Sequence, residues 1–306
     1  MVNSKRVACV IPVYNGKQDL LRLFDSLDQQ KAHFDVLVVD SSSSDGSQEL
    51  AEERADELVV INSSEFNHGG TRQKIVNDYP QYDVFIFLTQ DAYLDDPSAI
   101  TNMVKYFDKS TVAAVCGRQL PHDDANLLAA HARIFNYPSE SIYKSLEDAS
   151  SLGIKTPFMS NSFAAYRRES LIKVGGFPDD VILSEDMFVT ARMLMAGYEI
   201  VYAGDACCRH SHNYTIIEEF RRYFDIGVFH AKEPWIRDNF GGAGGEGFKY
   251  VKSEIKYIGL RRFYLWPSSL IRNALKLFGY KLGQRSEKLP VSIKQKLSMH
   301  SHYWSK

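Results

Sequence analysis

Short apolar runs alternate with amphipathic segments in the first 90 residues. The runs predict four strands, over residues 6–13, 35–40, 57–61 and 83–88. Apolar residues at helical spacing between them predict helices over 18–30, 46–54 and 71–79. Because the strands are apolar throughout and alternate with helices, the pattern predicts an α/β fold with a mostly parallel central sheet flanked by helices.

The pattern continues less regularly in the second half. Residues 118–155 show no clear period, and residues 158–166 and 199–202 predict strands. Helices are predicted over 167–174, 184–196 and 215–231. The signals are strongest for 184–196, where Ser184 is an N-cap candidate, Glu185 and Asp186 favour the positive helix end, and Gly197 provides a stop.

A glycine-rich stretch, 241–247, predicts a flexible linker. Residues 241–306 are expected to form a helical extension in which Lys and Arg are mixed with aromatic residues. From Gly245 onward there are 13 basic and 3 acidic residues, a net charge of +10, whereas the remainder is −12. Opposite charges indicate different partners: chemistry in the acidic part and an anionic surface for the basic part.

Composition narrows the class of protein. With 306 residues, 44% hydrophobic and a net charge of −2, the chain is expected to fold, as one large domain or a domain with an appendage. The four cysteines lack C-x-x-C spacing and are interpreted as reduced thiols of a cytoplasmic protein. No apolar run approaches the ~20 residues of a membrane span, and residues 1–6 lack a signal-peptide apolar region.

Polar and acidic groups follow three predicted strands, at 12–15, 40–45 and 90–91. Ligands of open parallel sheets bind beyond the carboxyl ends of the strands. Carboxylates there suit a nucleotide or a cation that bridges phosphates. The alternative is that Asp40 and Asp45 are turn residues. No P-loop motif is present and the glycine-rich stretch is poorly placed for a dinucleotide, which argues against P-loop NTPases and nicotinamide dehydrogenases.

Taken together, VIPVYNG, VVDSSSSDGS, the strand-end Asp91 and SEDMFVTARMLMAGYEI resemble inverting glycosyltransferases of family 2, which have the GT-A fold. The segments EFNHGGTR, FLTQDAYL and RHSHNYT are similar to a bacterial rhamnosyltransferase subgroup that builds cell-surface polysaccharides, such as O-antigen, from dTDP-L-rhamnose. The resemblance implies a glycosyltransferase domain over 1–240, with a nucleotide-binding half (1–117) and an acceptor-side half (118–240).

The resemblance also implies site residues. Asp186, in the pair with Glu185, corresponds to the catalytic base, although both are equally typical of a helix's first turn. Asp40 is expected to bond the pyrimidine, and Arg72 to lie near the diphosphate or base. The full set of expected donor-binding residues is Pro12, Val13, Tyr14, Asn15, Asp40, Ser42, Asp45, His68, Gly69, Arg72, Gln90 and Asp91. Acids 40, 91 and 186 are expected to converge around one cleft.

A metal site is expected at Asp91, the last position of the family's D-x-D motif. Thr89 replaces the first acid, so strict dependence on Mg²⁺ or Mn²⁺ does not follow from the motif. His210 and His212, two apart on a predicted strand, are candidate further ligands or diphosphate contacts. A structural zinc site is not favoured, because no Cys or His partner set accompanies them.

We interpret the chain as an enzyme that transfers L-rhamnose to a saccharide by a single displacement. The saccharide is expected to be lipid-linked, and the enzyme to act at the cytoplasmic face of the cell membrane. The basic extension, with aromatic residues such as Trp266, is expected to contact anionic lipid; dimerisation or plain packing is the alternative. Nucleic acid is not an expected partner. The competing functions are transfer from a UDP-hexose, a non-catalytic nucleotide-sugar-binding scaffold, and a nucleotidyltransferase.

Overall fold

A single eight-stranded mixed sheet forms the centre of the molecule, with strand order β3-β2-β1-β4-β7-β5-β8-β6. The computed structural model describes residues 5–242 and 245–305. The strands are β1 (Val7–Val13), β2 (Asp35–Asp40), β3 (Glu57–Val60), β4 (Val84–Leu88), β5 (Val112–Leu120), β6 (Ile142–Lys144), β7 (Phe163–Arg167) and β8 (Glu199–Arg209).

The first four strands are parallel: β1 lies between β2 and β4 and pairs with both, and β2 also pairs with β3. β7 is antiparallel to β4 and to β5, β8 is parallel to β5, and β6 is an antiparallel edge strand. The expected mostly parallel sheet is therefore confirmed. The carboxyl ends of β1, β2 and β4 share one edge of the sheet, where the sequence places its polar groups.

Helices cover both faces of the sheet, as predicted. Phe85 and Phe87 of β4 belong to one apolar core, whereas Val84, Ile86 and Leu88 belong to a second core on the opposite face. The helices are α1 (Lys17–Leu27), α2 (Ser47–Arg54), α3 (His68–Asp78), α4 (Ala99–Val104), α5 (Leu127–Asn136), α6 (Ala149–Leu152), α7 (Arg168–Lys173), α8 (Glu185–Met195), α9 (Ile216–Lys232), α10 (Pro234–Phe240), α11 (Glu246–Ile258), α12 (Trp266–Gly283) and α13 (Val291–Leu297).

Local details depart from the sequence predictions at several points. Helix α3 begins at His68 rather than at residue 71, because the Asn67 side chain accepts bonds from the first backbone N–H groups. Ser184 is not a side-chain cap: its backbone is left-handed (φ 63°) and its hydroxyl makes no capping bond. The strand predicted over 158–166 is β7, which starts only at Phe163, and β5 was not predicted.

The C-terminal extension is helical, as expected, and α12 packs directly on α9. A Cβ at Gly283 would lie 2.0 Å from the Phe224 carbonyl oxygen, and one at Gly279 would lie 2.6 Å from that of Phe220. This close approach requires glycine at both positions. Residues 243 and 244 of the predicted linker lie outside the described residues, and α11 begins inside the predicted stretch, at Glu246. The division of the chain near residue 241 stays a prediction.

Across residues 5–242 and 245–305, the helices are too short or too polar to cross a bilayer.

Candidate active site

The carboxyl ends of β1, β2 and β4 are tied together by polar contacts. The backbone N–H of Tyr14 donates to Gln90 Oε1 at 2.8 Å, and Asn15 Oδ1 accepts from the backbone N–H of Ser44 at 2.8 Å. Asn15 (φ 46°) and Ser42 (φ 61°) both have left-handed backbone. Such conformations cost free energy and persist where surrounding contacts hold them, often at functional sites.

Asp40 and Asp45 have different surroundings in this edge. Asp40 is fully buried; its Oδ1 accepts from the Ser43 backbone N–H at 2.8 Å, while its Oδ2 has no partner among the described residues. Asp45 instead accepts bonds from the backbone of Lys17 and from the backbone and hydroxyl of Ser47. These contacts support the turn role for Asp45, and its contact with a nucleotide stays a prediction.

Beside this edge lies a cavity of about 740 Å³. Its lining includes Asp91, Asp186, His210 and His212, which come from three distant parts of the sequence. Two of the three acids expected in one cleft therefore share it. Asp40 is not part of the lining and lies at the neighbouring strand end, so the expectation holds only in part.

The Glu185–Asp186 pair begins α8 and is held from several sides. Asp186 accepts from the backbone N–H groups of Asn161 (3.1 Å) and Met187 (2.7 Å). Glu185 is buried, accepts from the Asn161 side chain at 2.9 Å, and pairs with Arg72 at 3.0 Å. Asn161 thus contacts both acids and fixes their relative positions.

The two neighbouring acids have opposite pKa shifts. Burial, and after it the charge of Glu185, raise the pKa of Asp186 to about 7, although the two N–H donors act to lower it. Burial also acts to raise the pKa of Glu185, but the Arg72 charge, followed by His68 and Asn161, holds it below the usual value. A pair of acids with diverging pKa values is typical of proton-transfer sites, and Asp186 is the member suited to accept a proton near neutral pH.

Arg72 and Gly69 have structural contacts beside the acids. Arg72 is buried and donates through Nη1 to the His68 carbonyl and to Glu185, while its Nε has no partner among the described residues. A Cβ at Gly69 would lie 1.7 Å from the Pro178 carbonyl oxygen. Glycine is therefore needed there for the contact between α3 and the loop before α8, and a role in donor approach stays a prediction.

Asp91, His210 and His212 form a compact group at the cavity wall. One ligand atom from each lies within 4.8 Å of the others. Asp91 Oδ2 is 3.5 Å from His210 Nε2 and 3.7 Å from His212 Nδ1. Burial lowers the pKa of both histidines, that of His212 to about 4, so both are neutral at neutral pH. One carboxylate and two neutral imidazoles suit a divalent transition metal.

Gln119 fixes the orientation of His210. Its Oε1 lies 3.0 Å from His210 Nδ1, and its amide nitrogen donates to the Ser160 hydroxyl at 2.8 Å. Because the amide oxygen can only accept, His210 Nδ1 carries the proton and Nε2 presents its lone pair to Asp91. A ligand histidine oriented through its other nitrogen is the usual arrangement at metal sites.

The remaining predicted donor residues lie at the strand ends outside the cavity lining. Pro12 and Val13 end β1, Tyr14 is 55% exposed, and the Ser42 hydroxyl donates to the Ile61 carbonyl. Sequence reasoning did not name His300 at the cavity, nor Gln119, which lies behind His210. His300 comes from the C-terminal end, and its ring packs edge-to-face on His68 at 5.2 Å. Such contacts join residues far apart in sequence and leave no local pattern.

Comparison with known families decides the class of protein. The model of the family described as Glycosyl transferase family 2 matches residues 8–175. The chain belongs to this family. It is therefore a glycosyltransferase, as the sequence resemblance implied, and the nucleotidyltransferase alternative is set aside.

Two curated relatives align over nearly the whole chain. The O-antigen chain rhamnosyltransferase RfbN of Salmonella typhimurium is 51% identical over 98% of this chain and 96% of its own. The O-antigen chain rhamnosyltransferase WbaN of Salmonella anatum is 49% identical over 97% of this chain and 95% of its own.

Solved structures confirm the GT-A-like fold. A mannosyltransferase from Pyrobaculum calidifontis, in complex with GDP-Man and Mn²⁺, has a TM-score of 0.59 at 21% identity, covering 97% of this chain and 86% of its own. S. aureus TarS 1-349, in complex with UDP-GlcNAc, has a TM-score of 0.52 at 15% identity, covering 92% of this chain and 91% of its own. At these identities the likeness speaks for the fold alone.

Proposed function

We propose that this glycosyltransferase moves L-rhamnose from dTDP-L-rhamnose to a hydroxyl of an O-antigen saccharide, with inversion at the anomeric carbon. The observation that carries the proposal is the single cavity that holds a carboxylate suited to accept a proton, Asp186, together with a metal-binding group at Asp91, His210 and His212. The two O-antigen rhamnosyltransferases that align over almost the full chain support this donor and acceptor class.

Asp186 acts as the general base. The acceptor hydroxyl donates a hydrogen bond to its carboxylate, which takes the proton as the hydroxyl oxygen attacks the anomeric carbon and the bond to the diphosphate breaks. Such a base contributes about 10²–10⁴ in rate. The raised pKa of Asp186 matches this task, since the carboxylate holds the proton more firmly than an exposed aspartate does. Glu185 stays ionised in its pair with Arg72, and its charge keeps the pKa of Asp186 raised.

Asp40 receives the base of the nucleotide in this proposal. Its Oδ2 is a buried acceptor without a partner among the described residues, an arrangement that costs free energy unless a donor arrives. The ring N–H of thymine is a suitable donor. Tyr14, exposed beside this position at the end of β1, provides a ring surface for the same base.

Asp91, His210 and His212 would hold Mg²⁺ or Mn²⁺, and the ion when bound would neutralise charge on the leaving diphosphate. Two imidazoles favour Mn²⁺ over Mg²⁺, which prefers oxygen ligands. The buried Thr89 hydroxyl, two residues before Asp91, has no partner in the described part of the chain and supplies a further oxygen nearby. The histidines thus compensate for the acid that Thr89 replaces in the D-x-D pattern.

The C-terminal helices bear the surface that we propose to face the membrane. Leu260, Phe263 and Tyr264 are 79%, 63% and 66% exposed, and Arg261 and Arg262 lie among them. Aromatic and basic side chains together suit the headgroup region of an anionic bilayer. This position, peripheral on the cytoplasmic face, would bring the cavity to a lipid-linked acceptor.

The donor proposal is tested with purified protein and a panel of dTDP-rhamnose, UDP-glucose and GDP-mannose, each with Mn²⁺ and an O-antigen saccharide acceptor. We expect nucleoside diphosphate release and saccharide extension with dTDP-rhamnose alone, and loss of both in Asp186→Asn. Efficient transfer from UDP-glucose would replace the donor assignment. Donor binding with no release from any acceptor would support the scaffold alternative instead.

The membrane proposal is tested by flotation on vesicles with anionic lipid. Because α12 packs on α9, point substitutions are preferable to truncation. The variant Leu260→Ser, Phe263→Ser is expected to lose flotation, whereas Leu21→Ser, at a residue 43% exposed on α1, is the control and should float like the unmodified protein. Equal flotation of both variants would exclude this surface as the anchor.

A further inference from the structure

The wall of the cavity formed by α5, α9, α11 and α12 is rich in cations. Most of them are already paired: Lys155 contacts Glu246, and both Arg272 (3.0 Å) and Lys276 (3.3 Å) contact Glu219. These pairs neutralise one another and have no need of a ligand.

Arg133 of α5 and Arg222 of α9 also line this cavity and differ from the rest. In the described ranges, 5–242 and 245–305, neither has a carboxylate within 4.0 Å. Each guanidinium lies over an aromatic ring instead, that of Arg133 at 5.6 Å from the centroid of Tyr137 and that of Arg222 at 6.0 Å from Tyr214. A ring contact holds the guanidinium in position and leaves its N–H donors free for an anion.

Arg222 lies close to the candidate metal group, and Arg133 lines the same cavity from α5. The Tyr214 ring that carries Arg222 lies 4.9 Å from the His212 ring, which in turn lies 4.6 Å from His210. Two cations without a carboxylate partner among the described residues therefore face the cavity that also holds the candidate metal group.

We propose that Arg133 and Arg222 form a diphosphate-binding subsite. This inference rests on the proposed function, which supplies two sources of a diphosphate: the nucleotide of the donor and the lipid linkage of the acceptor. Arginine suits this ligand because its planar group of donors matches phosphate oxygens, and two arginines on separate helices span two phosphates better than one. Neither residue belongs to the donor set implied by the sequence resemblance.

The test compares Arg222→Gln and the double variant Arg133→Gln, Arg222→Gln with Arg221→Gln, which removes one positive charge from the neighbouring position on α9, at a residue that does not line the cavity. Binding of dTDP, inorganic pyrophosphate and thymidine is measured with Mn²⁺ present, and KM is measured for acceptors with and without a diphosphate linkage. Unfolding curves verify that the variants fold. A second pair, Arg133→Lys, Arg222→Lys, keeps the charge and should recover part of the loss.

If the donor is the source, the double variant binds dTDP and pyrophosphate about 10- to 100-fold more weakly, with thymidine unchanged. If the acceptor is the source, dTDP binding is unchanged and KM rises by a similar factor only for the diphosphate-linked acceptor. Behaviour like that of Arg221→Gln in every measurement would overturn the inference. Because pyrophosphate carries no sugar or base, its binding separates this result from failure of the rhamnose assignment.

Discussion

Replacing Asp186 by Asn separates the proposed catalytic role of this carboxylate from its cost to the stability of the fold. The pKa of Asp186 rises from 3.8 to about 7 in the folded protein. A raised carboxyl pKa means that ionised Asp186 is less favourable in the folded chain than in the unfolded one. This free-energy cost appears as the pH rises above the pKa of Asp186 in the unfolded chain, grows with pH and levels off above about pH 7. Asparagine cannot ionise and removes this cost.

The magnitude follows from the size of the shift. One pKa unit corresponds to about 1.4 kcal/mol, so the cost of ionised Asp186 grows by about 3 kcal/mol between about pH 5 and pH 8. Asparagine has one acceptor oxygen for the N–H groups of Asn161 and Met187, and loss of one bond offsets about 1–2 kcal/mol. The variant should therefore be more stable than the parent at about pH 8 and close to it at about pH 5.

The assay is denaturant unfolding of both proteins at the two pH values, alongside rhamnosyl transfer. We expect transfer to fall by about 10²-fold or more while dTDP binding is retained. Glu185→Gln is the companion variant: it breaks the pair with Arg72 but also removes a charge that raises the pKa of Asp186, so its destabilisation should be smaller at about pH 8 than at about pH 5. An Asp186→Asn effect on stability that does not change with pH would refute the reasoning.

Three further predictions concern the metal group, the helix packing and the base. Gln119→Ala frees the ring of His210 and should weaken Mn²⁺ binding about 10- to 100-fold, as measured by titrating Mn²⁺ and recording thermal unfolding. Unchanged affinity would contradict a positioning role for Gln119. Gly283→Ala places a Cβ 2.0 Å from a carbonyl of α9 and should destabilise by about 2 kcal/mol or more. Gly247→Ala, with open space around it, should be neutral or mildly stabilising in the same unfolding assay, and equal effects would refute the packing argument. Asp40→Asn should weaken binding of dTDP, measured by titration calorimetry, about tenfold through the lost base contact; unaltered binding would remove Asp40 from base recognition.

The sequence predicts the strands of the first 90 residues well because they are apolar runs with clear turn signals between them. β5 was not predicted, since its small residues, VAAVCG, have weak strand preference on their own. It becomes a strand because β7 and β8 pair with it on either side. Ser184 has the residue type of a helix cap but takes a left-handed backbone before the two acids, without a capping bond from its side chain.

Within the candidate site, the sequence predicts functional acids because they follow strands or begin a helix. It does not predict which residues contact these acids in the folded chain. Asp91, His210 and His212 were named from the sequence and lie together. Gln119 and Asn161 orient them and the acid pair, yet both positions look like ordinary polar residues in the sequence. Arg133 and Arg222 differ from the other cations of the cavity wall in lacking a carboxylate partner among the described residues, and this difference arises only in the folded chain.

The most direct test of the account is the anomeric configuration of the saccharide made from dTDP-L-rhamnose, determined by NMR on the purified product. A rhamnose linkage of configuration opposite to that of the donor is predicted, because in the proposed mechanism Asp186 activates the acceptor for one displacement. A linkage that retains the donor's configuration would contradict the single displacement and the role of Asp186 as its base.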